Sequence, residues 1–393
     1  MVASEVQSKP GDPAQSGALP GRPLRILELG CELFLRTVPE QTDFYWIDRK
    51  RPPGETRLLG PANFARVLKR LWKGEYDIVV IGVPLVSPWH PRSFLTALRD
   101  WHMRAPAALF ATVAARYFHW FHRLPIAAID LADSFGIRAH NFGLIDRSAA
   151  YFKRELPVDR WQVFFRSGHW DLPGRRWRLK KSSQRRLAKL RPISLGTGAT
   201  TEPLSMPKTA DVFFAGDVSP SSTVRSEGIK ELLALRHEGI VVDVPEERIG
   251  HEEFTRRAAS AWLAWSPSGY GWDCYRHYES GLLGTVAVAN YPTIQRYQPL
   301  EDGEHCFYYA VEPGGLAAAV RAALADKERL VRMADAARQH VLAHHTDRAR
   351  IEYVVTTVLG RRLDGTPVSG TDPGHRGARA PHSGQLASDR GEG

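Results

Sequence analysis

Short apolar runs closed by glycine or aspartate alternate with amphipathic stretches of helical spacing, and this alternation occurs twice along the chain. Residues 24–29 end at Gly30, residues 77–81 (DIVVI) end at Gly82, and residues 126–129 are followed by Asp130 and Asp133. Between them, residues 64–72 place Phe64, Val67, Leu68 and Leu71 on one helical face, and residues 91–101 repeat the helical pattern. Strands that alternate with helices pair in parallel, because each crossover helix must lie back on the sheet and cover it. After residues 175–191, which are crowded with Arg and Lys, the alternation restarts. Strands are expected at 211–215, 240–244, 261–265 and 286–289, with helices at 224–235, 252–259, 272–283, 315–324 and 327–344. Two such series in one chain predict two Rossmann-like α/β domains.

The expected organisation has five parts: a disordered tail (1–22), a first domain (23–195), a second domain (196–345), a C-terminal helix (346–360) and a disordered tail (361–393). The tails are rich in Gly, Pro, Ser and Ala and carry too few large apolar side chains to form a core. The 393 residues suffice for two domains, and an apolar content of 43% suffices for their cores. Cys31, Cys274 and Cys306 are odd in number and widely spaced, which excludes a disulfide framework and fits a reducing cytoplasm. No secretory leader or membrane-span-length apolar run is read from the sequence. The formal charge of +10 favours an anionic partner without choosing among nucleotide, lipid and nucleic acid.

The chemistry concentrates in residues 266–309. A strand runs into the glycine-containing loop 267–271 and then a helix, and ligands of doubly wound sheets bind beyond the carboxyl ends of strands. Gly269 and Gly271 allow close backbone approach, and the helix start offers free N–H groups to phosphate. Arg276 and Glu279, three apart, share a helical face. An arginine can grip a diphosphate through paired donors, and a carboxylate can accept the hydroxyls of a ribose. The simpler reading of the pair alone is a weak surface ion pair; the loop and its place after a strand favour the nucleotide.

With these residues in view, the segment resembles the second domain of GT-B glycosyltransferases, in particular the spore-maturation (CgeB-type) glycosyltransferase-like family. Ser268, Gly269, Tyr270, Gly271 and Trp272, then Arg276, Glu279, Gly284 and the run 286–289 match that family's layout, and His345-Thr346 is similar to its terminal pair. The resemblance spans about residues 210–350. It implies a GT-B fold, with two Rossmann-like domains facing a central cleft, and a hexosyltransferase-like enzyme taking a nucleoside-diphosphate sugar as donor substrate, with no further cofactor. By the same resemblance Arg276 would meet the diphosphate and Glu279 the ribose. Arg225, after the strand 211–215 and Gly216, is similar to the basic residue that meets donor phosphates in that domain, with Lys230 a weaker choice. Asp273 and His277 flank Arg276 and could bind sugar hydroxyls or be buried structural groups; Asn290 and Thr293 are placed near the same cleft. Glu304-His305 reads as a turn. Retaining members carry a second Glu eight positions before the ribose Glu; here position 271 is glycine, so that residue's role is not carried over.

If the reaction inverts, a general base must reach the acceptor from the first domain. Asp130, Asp133, His140 and Asp146 are the candidates, with Glu32 a further one. The patch Tyr151-Phe152-Lys153-Arg154-Glu155 is similar to a segment near the domain interface of related enzymes and receives no catalytic role. The chain has no Asp-x-Asp, so the expectation is metal-independent chemistry, with Arg276 and Arg225 as fixed cations. No metal site is expected among the histidines, His119, His122, His344 and His345 included. Residues 116–123 (RYFHWFHR) with 175–191 could rest on an anionic membrane, giving a peripheral contact and a membrane-associated protein; a core helix and a charged linker is the simpler reading. No nucleic-acid fold motif is present, and none is expected as a partner. The contrasting function classes are a basic GT-B-like binding protein without turnover and a GT-B sugar-nucleotide epimerase. The nucleotide, the sugar and the acceptor are not legible.

Overall fold

The computed structural model describes residues 21–46, 57, 59, 61–83, 124–164, 181–198, 206–218 and 222–368. The helix expected at 91–101, the patch 116–123 with His119 and His122, and the first part of the basic run at 175–180 lie outside the described residues.

The first sheet comprises β1 (Ile26–Leu29), β2 (Thr42–Tyr45), β3 (Ile78–Gly82), β4 (Ile126–Asp130), β5 (Ala150–Lys153) and β6 (Leu190–Pro192), in spatial order β2-β1-β3-β4-β5-β6. Every pairing is parallel. The helices of this part are α1 (Leu33–Thr37), α2 (Pro61–Trp72), α3 (Phe142–Arg147) and α4 (Lys181–Lys189). Along each strand, side chains alternate between two covered faces. Leu27, Leu29, Val79, Ile81, Ile126 and Ala128 meet Val67 and Leu71 of α2 and Phe142, Leu144 and Ile145 of α3. Ile26, Ile78, Val80, Ala127 and Ile129 meet Leu33 and Phe34 of α1 on the other side.

The second sheet comprises β7 (Ala210–Phe213), β8 (Val242–Asp243), β9 (Ala261–Trp265), β10 (Val286–Asn290) and β11 (Cys306–Tyr309), ordered β11-β10-β9-β7-β8 and again all parallel. Its helices are α5 (Thr223–Ala234), α6 (His251–Ala259), α7 (Tyr275–Leu282), α8 (Gly315–Leu324) and α9 (Lys327–His344). One face packs Val212, Phe214, Leu263, Trp265 and Val288 on Leu232, Leu316, Val320, Leu330 and Met333. The expected pair of Rossmann-like sheets is therefore the observed architecture.

Three features differ from the sequence expectation. The basic run is not simply a junction: residues 181–189 form α4, and β6 closes the first sheet directly after it. The last helix, α10 (Asp347–Leu359), returns to the first sheet, where Ile351, Val354 and Val355 are fully buried with Ile26 and Ile78. Burying three such side chains contributes roughly 2 kcal/mol each. Residues 361–368, expected within the disordered tail, are ordered: Leu363 is fully buried and its carbonyl accepts the Leu24 N–H at 3.1 Å. One large apolar side chain in the right place was enough to anchor a segment whose composition reads as a tail.

In both sheets the chain first steps outward (β1 to β2, β7 to β8) and then reverses. The reversal leaves a crevice at the carboxyl ends of β1 and β3 in one domain and of β7 and β9 in the other, which is where ligands of such sheets bind.

Candidate active site

The second crevice is formed by the loop after β7, the loop after β9 and the start of α7. Ser222 caps α5, accepting the Arg225 N–H. Its hydroxyl donates to the Ser268 carbonyl at 2.9 Å, and Arg225 Nε donates to the same oxygen at 3.1 Å. Asn290, at the end of β10, accepts the Ser268 N–H at 2.9 Å. Gly269 N–H donates to the Gly271 carbonyl at 2.9 Å, closing the turn below Tyr270. The loop is thus held from both sides, and Tyr270 at its tip is 78% exposed. A Cβ on Gly216 would come within 2.9 Å of Arg276 Nη1, and one on Gly269 within 2.6 Å of Arg225 Nη2. These two glycines leave room for the two guanidinium groups.

Arg276 Nη1 donates to the Ala215 carbonyl at 3.1 Å, its guanidinium lies 5.5 Å from the Phe214 ring centre, and its Nε is buried without a partner. Arg225 is half-buried, and besides the loop its Nη1 donates to the Asp217 carbonyl at 3.0 Å. Among the described residues neither arginine has a carboxylate within ion-pair distance. Burial, then the neighbouring charge of Arg276, hold the Arg225 guanidinium below its ordinary value. Two cations share one crevice, and the Cys274 thiol and Asp217 are the nearby groups whose charge opposes theirs. Helix α7 has no side-chain cap, whereas α5, α9 and α10 are capped by Ser222, Asp326 and Thr346. Glu279, on the Arg276 side of α7, is half-buried, and its carboxylate accepts no hydrogen bond among the described residues. Burial raises its carboxyl, opposed by the charges of His251 and Arg276.

Other expected donor residues turn inward. Asp273 is buried, its carboxylate accepting from the Leu195 N–H and the Tyr278 hydroxyl, with Arg154 Nε 3.7 Å away. His277 is buried with Nδ1 2.6 Å from Ser266 Oγ and 3.1 Å from Cys274 Sγ. Both are buried, as the structural reading has it, although among the described residues His277 Nε2 is left without a hydrogen-bond partner. Burial pushes the Cys274 thiol up, but His277, Arg276 and Ser266 outweigh it and bring it to about 6. Lys230 is 70% exposed beside Glu227, a solvated helix face. Thr293 gives its carbonyl to Val158, and residues 302–305 form the turn before β11.

The first crevice opens into a cavity of about 880 Å³ lined by Gly30, Cys31, Gly82, Asp130, Asp133 and Arg138, among others, with Tyr270 of the second domain at its edge. The carboxylate of Asp130 accepts the Ala132 N–H at 3.0 Å, the Tyr151 hydroxyl at 2.8 Å and the ammonium of Lys153 at 3.2 Å, itself fully buried. Asp130 lines the cavity, but its charge is already paired, which favours a structural role over that of a general base. Asp133 also lines the cavity; its side chain is 54% exposed and pairs with Arg154. His140 does not line the cavity, and Asp146 is held by Arg186 at 2.6 and 2.8 Å. Glu32 takes a left-handed turn (φ 61°) before α1.

Sequence reading placed Arg154 and Glu155 near the domain interface by resemblance and gave them no catalytic role; it did not show what they contact. The Glu155 carboxylate is fully buried and accepts the N–H groups of Trp272 and Asp273, both at 2.9 Å. Arg154 donates to the Asp273 carbonyl and to the Leu131 carbonyl at 3.1 Å. The only local signal was two charges directly after an apolar strand. Among the described residues no helix is long and apolar enough to cross a membrane, and no three His, Cys, Asp or Glu residues are grouped to hold a metal.

Comparison with known proteins fits this architecture. Residues 265–356 match the family described as Glycosyl transferase-like. No curated protein matches the sequence. The crystal structure of a glycosyltransferase from Rickettsia africae ESF-5 is similar over 85% of this chain and 98% of its own, with a TM-score of 0.50 at 8% identity. Anabaena HepE in complex with UDP-glucose aligns with 85% of this chain and 99% of its own (TM-score 0.47, 12% identity). Sucrose-phosphate synthase from Thermosynechococcus elongatus aligns over 82% and 95% (TM-score 0.45, 12% identity). The stretch 265–356 is thus similar to a glycosyl transferase-like domain, and the chain as a whole has a two-domain GT-B fold.

Proposed function

We propose that this protein transfers a sugar from a nucleoside-diphosphate sugar to an acceptor held by the first domain, and that the donor diphosphate is neutralised by arginine rather than by a divalent metal. The observation that carries the reading is the pair Arg276 and Arg225, two half-buried cations in one crevice with no carboxylate partner among the described residues. A diphosphate fits there, gripped by guanidinium donors and facing the uncapped start of α7. Glu279, open on the same helix, takes the ribose hydroxyls. Positive charge fixed beside the departing diphosphate stabilises it as its bond to the sugar breaks. The sugar then faces the cavity beneath Tyr270, where Asp133 is the carboxylate placed to accept the acceptor proton. The layout Ser268–Trp272, Arg276 and Glu279 favours the CgeB-type family among GT-B enzymes.

The test is binding of UDP, GDP, ADP and dTDP to the full chain, followed by thermal shift and calorimetry with EDTA present. At least one nucleotide should stabilise the wild type and fail to stabilise Arg276→Ala. Absence of stabilisation by all four sinks the proposal. Binding that appears only when a divalent cation is restored sinks its metal-independent part. Binding without hydrolysis or transfer of any nucleotide sugar would favour a non-catalytic binding protein.

A further inference from the structure

Residue 271 and residue 155 occupy the same space. Gly271 does not have positive φ, so its backbone would accept any side chain. What forbids one is the other domain: a Cβ at 271 would lie 2.5 Å from Glu155 Oε1 and 2.6 Å from its carboxyl carbon. The carboxylate enters from the first domain, directly beyond β5, and its two oxygens take the N–H groups of Trp272 and Asp273. Burial raises the Glu155 carboxyl, and those two amides with Arg154 pull against it.

The segment around Glu155 is itself fixed to the second domain. Gln295 N–H donates to the Leu156 carbonyl at 2.7 Å, Pro157 bridges Ile294, and Arg160 holds the Gln295 side chain at 2.7 and 3.0 Å. Trp272 Nε1 donates to the Asn290 carbonyl at 2.9 Å, so the loop residue that Glu155 grips also ties to the end of β10. Asp273 and Cys274 lead directly into α7, two residues before Arg276. The loop 268–274 is therefore supported within its own domain (Ser222, Arg225 and Asn290 on Ser268, Asn290 on Trp272) and across the interface, where Glu155 takes the Trp272 and Asp273 amides and Arg154 donates to the Asp273 carbonyl.

We propose that Glu155 is a positioning residue for the donor site: it sets the backbone of residues 271–273, and through it the entry of α7 that carries Arg276 and Glu279. The proposal rests on the donor-site reading given above. Glu155 is fully buried between the two domains, each of its oxygens taking one backbone N–H, and it is given no part in the chemistry. Position 271 is glycine because the carboxylate that fills its space belongs to the other domain.

Two measurements on the full chain test this. Hydrogen exchange at the Trp272 and Asp273 amides is read without nucleotide, in the wild type and in Glu155→Gln, Glu155→Ala and Gly271→Ala. The dissociation constant of whichever nucleotide binds the wild type is then read in the same proteins and in the double variant Glu155→Ala/Gly271→Ala. Exchange should rise about 10-fold or more in Glu155→Ala and less in Glu155→Gln, which keeps one acceptor oxygen. Nucleotide affinity should fall about 10- to 100-fold in Glu155→Ala and in Gly271→Ala, since small misplacement of a binding group is costly. The double variant should be no weaker than either single one, because both remove one contact. Unchanged exchange in all variants overturns the proposal whatever the nucleotide result. Raised exchange with unchanged affinity also overturns it, leaving Glu155 as domain packing alone. Full additivity in the double variant does the same. A wild type that binds no nucleotide defeats the donor-site reading and this proposal with it, while the exchange data still report whether the carboxylate holds the loop. If Glu155→Ala does not fold, Glu155→Gln and Gly271→Ala carry the same comparison.

Discussion

Asp130 and Arg276 both stand beyond the carboxyl ends of central strands, each beside the crevice of its own sheet, yet their surroundings differ. The charge of Asp130 is answered: Lys153 lies 3.2 Å away and fully buried, and Tyr151 and the Ala132 amide donate to the same carboxylate. Among the described residues Arg276 has no carboxylate within ion-pair distance, and its Nε is buried without a partner. A buried ion pair that is fully hydrogen-bonded belongs to the architecture, because removing either member strands the other in low dielectric. A cation left unpaired beside a second cation is a cost to the folded protein, and an anionic ligand removes it. The difference is the ground for proposing an anion at the second crevice and a structural role for the ion pair at the first.

That contrast can be broken at several points. Replacing Asp130 by alanine has the largest expected effect on stability: about 3 kcal/mol or more in urea unfolding, because Lys153 is left buried and unpaired. Its nucleotide affinity should stay that of the wild type. Normal stability in this variant would show that the pair is not structural. Arg276→Ala should do the reverse, with little change in unfolding but a loss of nucleotide affinity of roughly 100-fold by calorimetry. Next comes Glu279→Gln, expected to lose about 10-fold and, more tellingly, to lose preference for ribonucleotides over their 2′-deoxy forms. A deoxy preference equal to the wild type's would remove Glu279 from the ribose.

The smallest effect separates both crevices from the seam between α9 and α10. There His305, His340, His344 and His345 stack, with ring centres 4.4 Å apart for His305 and His340 and 5.4 Å for His340 and His345. His345 Nδ1 meets Ser194 Oγ at 2.9 Å and its Nε2 meets the Gln298 carbonyl at 2.8 Å. Burial holds His345 well below its ordinary value of 6.5, and burial with the neighbouring imidazoles lowers His344 and His305. These rings are neutral when folded and take up protons when unfolded. Their contribution is therefore complete above pH 6.5 and declines as the pH falls below it, by up to about 1.4 kcal/mol per pH unit for each proton taken up. Unfolding at pH 7.5, 6.5 and 5.5 should show this decline, and His345→Gln should lessen it. Stability that is flat across this range would place the proton uptake elsewhere.

Several elements were legible because they are local. The strand Ala261–Trp265 and the helices Gly315–Leu324 and Lys327–His344 have the bounds that their residue periodicity predicts. Strand β5 was not legible, since its residues Ala-Tyr-Phe-Lys end in a charge that a buried strand should not carry. The lysine is admissible only because Asp130, 23 residues earlier in sequence, meets it in space. Within the site, Arg276, Glu279 and the loop that precedes them were visible from spacing. Asp273 and His277 were read as either sugar-binding or buried groups; both face the interior, Asp273 from the loop before α7 and His277 from the buried side of that helix.

By itself the sequence determined the alternation of strands and helices, hence two parallel sheets, and the loop-then-helix that places a cation and a carboxylate on one face. Both are short-range patterns, set by periodicity within a dozen residues. Tertiary structure alone decided that α10 belongs to the first domain, that Asp130 is spent on Lys153, and that Gly271 makes room for a carboxylate from 116 positions earlier in the chain. Each of these depends on groups far apart in sequence reaching one place, where burial and charge make a partner obligatory; no local pattern contains that information.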